Sequence, residues 1–345
     1  MKKKTAIATL LIVAIFFFIP MSITLITYNY HFDKRIYHNN NYFEYLTTLN
    51  PDFTKQEVTF PSDEGQLLSG AFYSQQTNDD PKGLLVFVHG MGVSHENYLA
   101  EIEWLTRENY VVFSYDNTGV EDCEGTSLKG LTQAPLDLQH AIQYIYSLDG
   151  GKDVPIILIG HSWGGFSVAT VSQLGLEKDV DGIVTLAGFW RNINVIEDIA
   201  KIYVGDVVTL LRPYLMLYEK YLFGENSNLN GVTGLGSTNA QVMIIHSEDD
   251  PIVRYEGNFE MYNTNFGEQD RFTFVGYDDA GHKLTVNKAS YERIHDIMHH
   301  QMEHDENSLE FLKLNEERLS LIGDFNYDVM NNIVEFCDRV VGDIN

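Results

Sequence analysis

Residues 160–164 read Gly-His-Ser-Trp-Gly, a G-x-S-x-G pattern. The pattern follows an apolar run at 154–159 of strand length and precedes a helical pattern that begins near Gly165. A serine on a sharp strand-to-helix turn is exposed above the sheet, and flanking glycines remove side-chain clashes there. We therefore predict that Ser162 is a nucleophile, with a helix N-terminus beside it that favours developing negative charge.

A serine hydroxyl needs a base to take its proton, and the chain has 12 histidines. His282 lies in a loop shortly after the apolar run at 272–275, and sites of open α/β sheets gather beyond the carboxyl ends of strands. We predict that His282 is the base and interpret His161 as a packing residue. Four further histidines on a late helical stretch are interpreted as a solvated face rather than a metal site: His295, His299, His300 and His304.

The base must in turn be oriented by an acid, which should also follow a strand. Five carboxylates meet this condition, three after the apolar run at 242–245 and two just before His282. They are Glu248, Asp249, Asp250, Asp278 and Asp279. Their spacing leaves the choice among them open.

Backbone N–H donors are needed to hold the negative oxygen of an acyl-transfer transition state. Trp163, directly after the serine, supplies one. The glycine-rich segment 89–92, His-Gly-Met-Gly, follows the apolar run Leu84–Val88, so its backbone can approach a substrate closely. We predict that the Met91 N–H is the second donor.

Short apolar runs recur along the chain and alternate with helical patterns such as 136–145 and 166–171. The runs lie at 84–88, 111–115, 156–159, 183–186, 242–245 and 272–275. Runs that are apolar on both faces are typical of central parallel strands, and the alternation predicts a mostly parallel sheet with helices on both faces. More than fifty residues separate the runs that end at Leu186 and begin at Val242, far more than a crossover needs. We predict an inserted helical lid at about 188–237, including an amphipathic stretch at 199–223. The alternative is one long crossover helix with loops.

These motifs together resemble the α/β-hydrolase superfamily, in its lipase, esterase and serine-aminopeptidase-like branch, from about Gln56 to the C-terminus. The matching segments are the oxyanion loop at 89–92, the loop from Asp116 to Ser127 (D-x-x-G-x-G-x-S in the family), the elbow at 160–164, the acid loop at 246–253 (H-G-x-x-D-P-x-V) and the histidine loop at 281–282. The resemblance selects Asp250, before Pro251, as the acid. Three residues depart from the family pattern: Val120, Cys123 and Ser247.

The resemblance implies an α/β-hydrolase fold and a serine hydrolase that cleaves carboxylic esters through a Ser162–His282–Asp250 triad and an acyl-enzyme, with no metal and no cofactor. The apolar lid stretch suits an acyl chain, or it packs the lid on the core. One alternative is a peptidase or amidase of the serine-aminopeptidase-like type acting on a small substrate. Another is a membrane-tethered binding protein that has the fold but no catalysis.

The N-terminus differs from the rest of the chain. Residues 2–4 are lysines, and 5–28 are uncharged and long enough to span a bilayer. We predict a cytoplasmic tip and transmembrane anchor at 1–28, a juxtamembrane spacer at 29–55 and an extracellular hydrolase domain at 56–345. The alternative is a cleaved signal peptide and a secreted protein.

Charge and cysteine content narrow the partners further. The formal net charge of −26 opposes nucleic-acid binding, because phosphates are repelled. The expected partners are a small acyl substrate and the membrane. Cys123 and Cys337 fit no metal or redox motif, and we expect them to be unpaired thiols.

Overall fold

A computed structural model describes residues 14–37, 41–301, 303–305 and 307–344. Its centre is a sheet of eight strands in the order β1-β2-β4-β3-β5-β6-β7-β8. The strands are β1 Phe53–Pro61, β2 Leu67–Gln75, β3 Leu84–Val88, β4 Val111–Tyr115, β5 Ile156–His161, β6 Gly182–Leu186, β7 Gln241–Ser247 and β8 Phe272–Tyr277. β1 pairs with β2 and β2 with β4 in antiparallel fashion, whereas β3 to β8 pair in parallel.

Helices connect and cover these strands. They are α1 Ile19–Phe32, α2 Tyr42–Leu49, α3 Leu99–Arg107, α4 Gln133–Ser147, α5 Trp163–Thr170, α6 Asn192–Val204, α7 Arg212–Phe223, α8 Gly231–Gly236, α9 Tyr255–Phe266, α10 Lys288–Gln301, α11 Leu309–Leu321 and α12 Tyr327–Ile344. A π-helical turn, Ala14–Phe18, precedes α1, and a 3₁₀ segment, Gly205–Leu211, joins α6 to α7.

The sheet separates two apolar cores, and successive residues of one strand alternate between them. In β3, Leu85 and Phe87 enter one core, whereas Val86 and Val88 enter the other. Every residue of β3 is buried, as a strand covered by helices on both faces requires. The predicted α/β architecture with helices on both faces is therefore observed, and all six predicted strands form.

Two strands were not predicted, β1 and β2. Only Phe53 and Phe60 are buried among the residues of β1, and Ser69 and Gly70 interrupt the apolar residues of β2, so neither strand contains a continuous apolar run. They form the antiparallel end of the sheet, and β1 is its edge strand.

Part of the segment predicted as a juxtamembrane spacer, residues 29–55, packs on the domain. α1 continues to Phe32, and Ile36 forms a bridge with Val120. In α2, Tyr42 and Leu46 are buried in the core next to β1. The spacer interpretation rested on polar composition, which does not reveal that these few apolar side chains repeat at helical spacing.

The N-terminal helix runs through Ala14–Phe32 and is long and apolar enough to cross a membrane, with a mean hydropathy of 1.2. A signal sequence near the N-terminus has the same properties. The lysines at 2–4 and the first part of the predicted anchor, up to residue 13, lie outside the described residues.

Residues between β6 and β7 fold into α6, α7 and α8 with short 3₁₀ segments between them. Several helices therefore form where the alternative prediction had one crossover helix, and the insertion at 188–237 stays a prediction. Its function as a lid stays a prediction.

Candidate functional site

The serine lies at the turn between β5 and α5. Ser162 has φ 55° and ψ −110°, in the left-handed half of backbone space that non-glycine residues rarely occupy. A Cβ at Gly160 would lie 2.2 Å from the Gly164 carbonyl oxygen, and one at Gly164 would lie 2.1 Å from that of Val88. Glycine is therefore required at both places for so sharp a turn. The helix begins at Trp163, two residues before the predicted start.

The histidine loop and the acid loop meet in a direct hydrogen bond. His282 Nδ1 lies 2.8 Å from Asp250 Oδ2. The other carboxylate oxygen, Asp250 Oδ1, accepts from the backbone N–H groups of Ile252 and Val253 at 2.8 and 2.9 Å. These two bonds fix the carboxylate, and its bond to Nδ1 leaves Nε2 of His282 as the nitrogen available to a substrate or to the serine.

Asp250 is ionised despite its position. Burial opposes ionisation, but hydrogen bonds from His246 and His282 and the N–H of Val253 outweigh it, so its pKa lies well below the usual range. A carboxylate is the form that can accept the Nδ1 proton and stabilise an imidazolium.

The other four candidate carboxylates do not contact the His282 ring. Asp249 accepts from the Gly281 N–H at 2.9 Å and pairs with Lys288 at 2.7 Å. Asp279 also pairs with Lys288. Glu248 and Asp278 are exposed. Among the five candidates, Asp250 is the one in contact with the imidazole of His282.

Ser162 and His282 are both buried, at 8% and 7% exposure. Within the described part of the chain, no hydrogen bond joins Ser162 Oγ to the His282 ring. Such bonds are often long in the absence of substrate and tighten when substrate binds.

The two predicted oxyanion donors lie at the start of α5 and in the loop after β3. The Trp163 N–H is the first of α5, and the first four N–H groups of a helix have no partner inside it. In the segment 89–92, the Gly90 N–H donates to Tyr98 Oη at 3.1 Å and is therefore engaged. Met91 is the next donor along the loop, and its side chain is 42% exposed.

His161 links the two loops of the site, a contact that its interpretation as packing did not include. Its Nε2 donates to the His282 carbonyl oxygen at 2.8 Å, which leaves Nδ1 to accept from Tyr98 Oη at 2.7 Å. Burial, together with the charges of His282 and Lys283, lowers the pKa of His161 well below its usual value, so the ring is neutral. A chain of hydrogen bonds thus runs from Gly90 to the catalytic-histidine candidate. In the sequence, the one sign of this role for His161 was its position next to Ser162, and nothing in the sequence pointed to Tyr98.

A second set of buried hydrogen bonds stabilises the oxyanion loop at 89–92. His89 Nδ1 donates to the Gly90 carbonyl oxygen at 2.7 Å, so its Nε2 accepts the Asn117 N–H at 3.1 Å. In the loop after β4, next to Asn117, Thr118 donates its N–H and its hydroxyl to the Asp137 carboxylate. Burial raises the pKa of Asp137 to about 6, although hydrogen bonds from Ser62, Thr118 and Gln133 oppose the rise.

The departures from the family pattern have structural partners. Ser247 Oγ donates to Asp249 Oδ1 and accepts the Ala280 N–H at 2.9 Å, which ties the acid loop to the histidine loop. Cys123 Sγ lies 3.1 Å from the Ser69 N–H and 2.9 Å from the Asp116 carbonyl oxygen. Cys123 and Cys337 are buried free thiols.

No group of three or more His, Cys, Asp or Glu side chains that could hold a metal ion occurs within residues 14–37, 41–301, 303–305 and 307–344. His295, His299 and His300 lie on α10, and His304 follows it.

A family model described as "Serine aminopeptidase, S33" matches residues 79–230. The match includes Met91, Ser162 and Trp163 and ends before Asp250 and His282. No curated protein sequence matches the chain.

Several solved structures have the same fold at low sequence identity. An esterase of Pyrococcus furiosus is 19% identical, with a TM-score of 0.57 over 76% of this chain and 94% of that one. Acetyl xylan esterase 1 of a Thermoanaerobacterium species is 14% identical, with a TM-score of 0.50 over 73% and 91%. An acylaminoacyl peptidase of Pyrococcus horikoshii is 16% identical, with a TM-score of 0.50 over 71% of this chain and 40% of that one.

The sheet order, the elbow and these comparisons define one class of protein. The chain has the α/β-hydrolase fold, and its residues 79–230 are similar to the serine aminopeptidase family.

Proposed function

We propose that the chain is a serine hydrolase that cleaves carboxylic esters, with Ser162 as nucleophile, His282 as general base and Asp250 as the acid that orients it. The observation that carries the proposal is the 2.8 Å hydrogen bond between Asp250 and His282 beside a serine held at φ 55°. A buried, ionised carboxylate on Nδ1 presents the imidazole in the tautomer whose Nε2 can take a proton.

The proposed reaction proceeds in two halves. His282 Nε2 takes the hydroxyl proton of Ser162 as Oγ attacks the ester carbonyl carbon. The resulting oxyanion accepts hydrogen bonds from the backbone N–H groups of Met91 and Trp163. His282 then returns the proton to the oxygen of the leaving alcohol. Water attacks the acyl-enzyme by the same route, which releases the acid and restores Ser162. The mechanism needs no metal and no cofactor.

A substrate panel distinguishes the enzymatic alternatives. Esterases of known structure share the fold, which supports the ester, whereas the aminopeptidase family model favours an amide. We expect Ser162-dependent turnover of p-nitrophenyl esters, measured against Ser162→Ala, and no turnover of aminoacyl p-nitroanilides above that background. Ser162-dependent cleavage of the anilides alone would establish the peptidase. Absence of turnover on both, with no acyl-enzyme, would favour a binding protein.

We also infer that the N-terminal helix remains attached as an anchor, with the hydrolase domain outside the cell. Tyr28 and Phe32 are buried at 4% and 5% exposure against the domain, so the end of the helix packs on the domain, and cleavage after Tyr28 would remove the first of these contacts. Protease added to intact cells should digest the domain, and the intact chain should pellet with membranes. A free protein whose sequence starts within 21–30 would establish a signal peptide instead, and protection from external protease would place the domain in the cytosol.

A further inference from the structure

The insertion exposes a dense set of large apolar side chains. Seven of them lie within 21 residues of α6, α7 and the 3₁₀ segment between them. They are Ile202, Val207, Leu210, Met216, Leu217, Tyr221 and Leu222, from 38% to 81% exposed. Single exposed apolar residues need no explanation, but a concentration of this kind marks a surface that something else covers.

The N-terminal helix packs against this same insertion. Tyr218 Oη donates to Asn29 Oδ1 at 3.0 Å, and the rings of Tyr28 and Tyr218 meet edge to face at 5.0 Å. Further up the helix, Tyr214 Oη donates to the Phe16 carbonyl oxygen. Phe16 lies twelve residues before Tyr28, or roughly 18 Å along a helix. The insertion therefore lies alongside the apolar helix rather than beyond its end.

A buried carboxylate connects the N-terminal helix and the insertion to the candidate site. Glu219 of α7 is 1% exposed and accepts from Tyr28 Oη, and its Oε2 accepts from Thr132 Oγ1 and Asn192 Nδ2, both at 3.0 Å. The neighbouring Leu131 carbonyl oxygen accepts from the Trp163 indole at 2.7 Å. The helix, the insertion and the residue after the nucleophile thus form one packed unit.

The glycine at position 130 is required for this contact. A Cβ there would lie 1.9 Å from Tyr28 Oη. The sequence of the hydrolase domain therefore accommodates the N-terminal helix at close range.

The charge of the insertion differs from that of the rest of the chain. The whole chain carries −26, yet residues 199–223 hold three basic side chains against two acidic ones, and one of the acids, Glu219, is buried. Arg212 is paired with Glu197 at 2.5 Å. Lys201 and Lys220 pair with acids just outside this range, Glu197 and Glu225, so an anionic lipid surface would repel this segment less than it repels the rest of the protein.

We propose that the exposed apolar side chains of residues 202–222 lie in the outer leaflet of the membrane that holds the N-terminal helix, at the boundary between headgroups and acyl chains. If the helix crosses the bilayer, side chains packed beside it over roughly 18 Å must enter the lipid as well. Asp206 and Lys220 keep the segment at this boundary rather than in the hydrocarbon centre. The leaflet then supplies amphipathic acyl esters as the substrate class, an assignment that rests on the proposed esterase function.

The test places a fluorescent probe on full-length protein in vesicles of equal parts phosphatidylcholine and phosphatidylglycerol. Cys123 and Cys337 are buried, each at 0% exposure, so a new surface cysteine labels selectively. Leu210→Cys carries the probe on the insertion, and Leu309→Cys is the matched control, since the two leucines are 71% and 69% exposed. Doxyl-labelled phosphatidylcholine should quench the probe at 210 and not at 309.

Equal, weak quenching at both positions would contradict the proposal that the exposed side chains of residues 202–222 lie in the membrane. A probe at 210 that is shielded from water yet not quenched by lipid would indicate a second copy of the chain and would overturn it too.

Activity separates this proposal from the esterase function on which it rests. Leu210→Asp should lower turnover of an ester dispersed in the vesicles on the order of tenfold, because a charge enters lipid, and leave a short water-soluble ester unaffected. Leu309→Asp should change neither. Loss on both substrates, or on neither, contradicts the membrane face, whereas failure of the unmodified chain to cleave the soluble ester contradicts the proposed function itself.

Discussion

At the scale of single residues, the site depends on which groups hold the imidazole of His282. Asp250 contacts Nδ1, whereas its neighbour Asp249 contacts Lys288 and the Gly281 N–H. The two aspartates are adjacent in sequence, so the family pattern, not spacing, distinguished them. The geometry gives a separate physical reason for the same choice.

Asp250→Asn should lower kcat by about 10³–10⁴-fold, because an amide in place of the carboxylate favours the wrong tautomer of His282. Asp249→Asn should lower it by less than about tenfold, since an acceptor for the Gly281 N–H remains. Steady-state kinetics on a soluble ester, with circular dichroism to check the fold, measures both. Equal losses, or a larger loss for Asp249→Asn, would reverse the assignment.

Tyr98 connects the Gly90 N–H to His161 and so to the histidine loop. In Tyr98→Phe, that N–H and His161 Nδ1 lose a buried partner, each at a cost of about 1–3 kcal/mol. We expect kcat to fall about tenfold or more with little change in KM, because both loops lose their alignment.

Tyr110→Phe is the matched control for this change, since its hydroxyl bonds Asp338 at 2.7 Å, away from the site. It should lower stability and leave kcat unchanged. A Tyr98→Phe variant that loses stability but keeps kcat would reduce Tyr98 to a packing role.

At the scale of elements, sequence patterns predicted the strands that are continuous apolar runs and missed the two strands at the antiparallel end of the sheet. β3 and β5 are buried throughout, so their runs are continuous, whereas only Phe53 and Phe60 of β1 are buried. The elbow was predictable because its glycines leave a local signature. The Tyr98–His161 and Tyr28–Glu219 contacts were not, because they join residues 63 and 191 positions apart.

The acid loop and the histidine loop are joined by Ser247, where the family pattern has glycine. Ser247→Gly should lower the free energy of unfolding by about 1–3 kcal/mol, since the Ala280 N–H is left buried without its partner. The loss of kcat should be smaller than in Asp250→Asn. Urea unfolding monitored by fluorescence measures the effect, and Ser247→Ala should match the glycine variant. An alanine variant as stable as the original chain would show that the hydroxyl contributes nothing.

At the scale of the whole molecule, the chain is divided into an apolar N-terminal helix and a domain of strongly negative charge. The sequence indicated that division, but not that α1 packs on the insertion or that residues 42–49 join the core. Composition reports how polar a segment is on average. Burial depends on a few side chains, such as Tyr28 and Phe32, and on the partners that the fold brings to them.

The central claim is that Ser162 is the nucleophile, and covalent labelling tests it most directly. Full-length protein is treated with a fluorophosphonate, digested, and the modified peptide is identified by mass spectrometry. We predict one adduct on Ser162, complete loss of labelling in Ser162→Ala with the fold retained, and strongly slowed labelling in His282→Ala, because a serine hydroxyl without its base is a weak nucleophile. Labelling of the Ser162→Ala variant at an unchanged rate, or an adduct on another residue, would contradict the account.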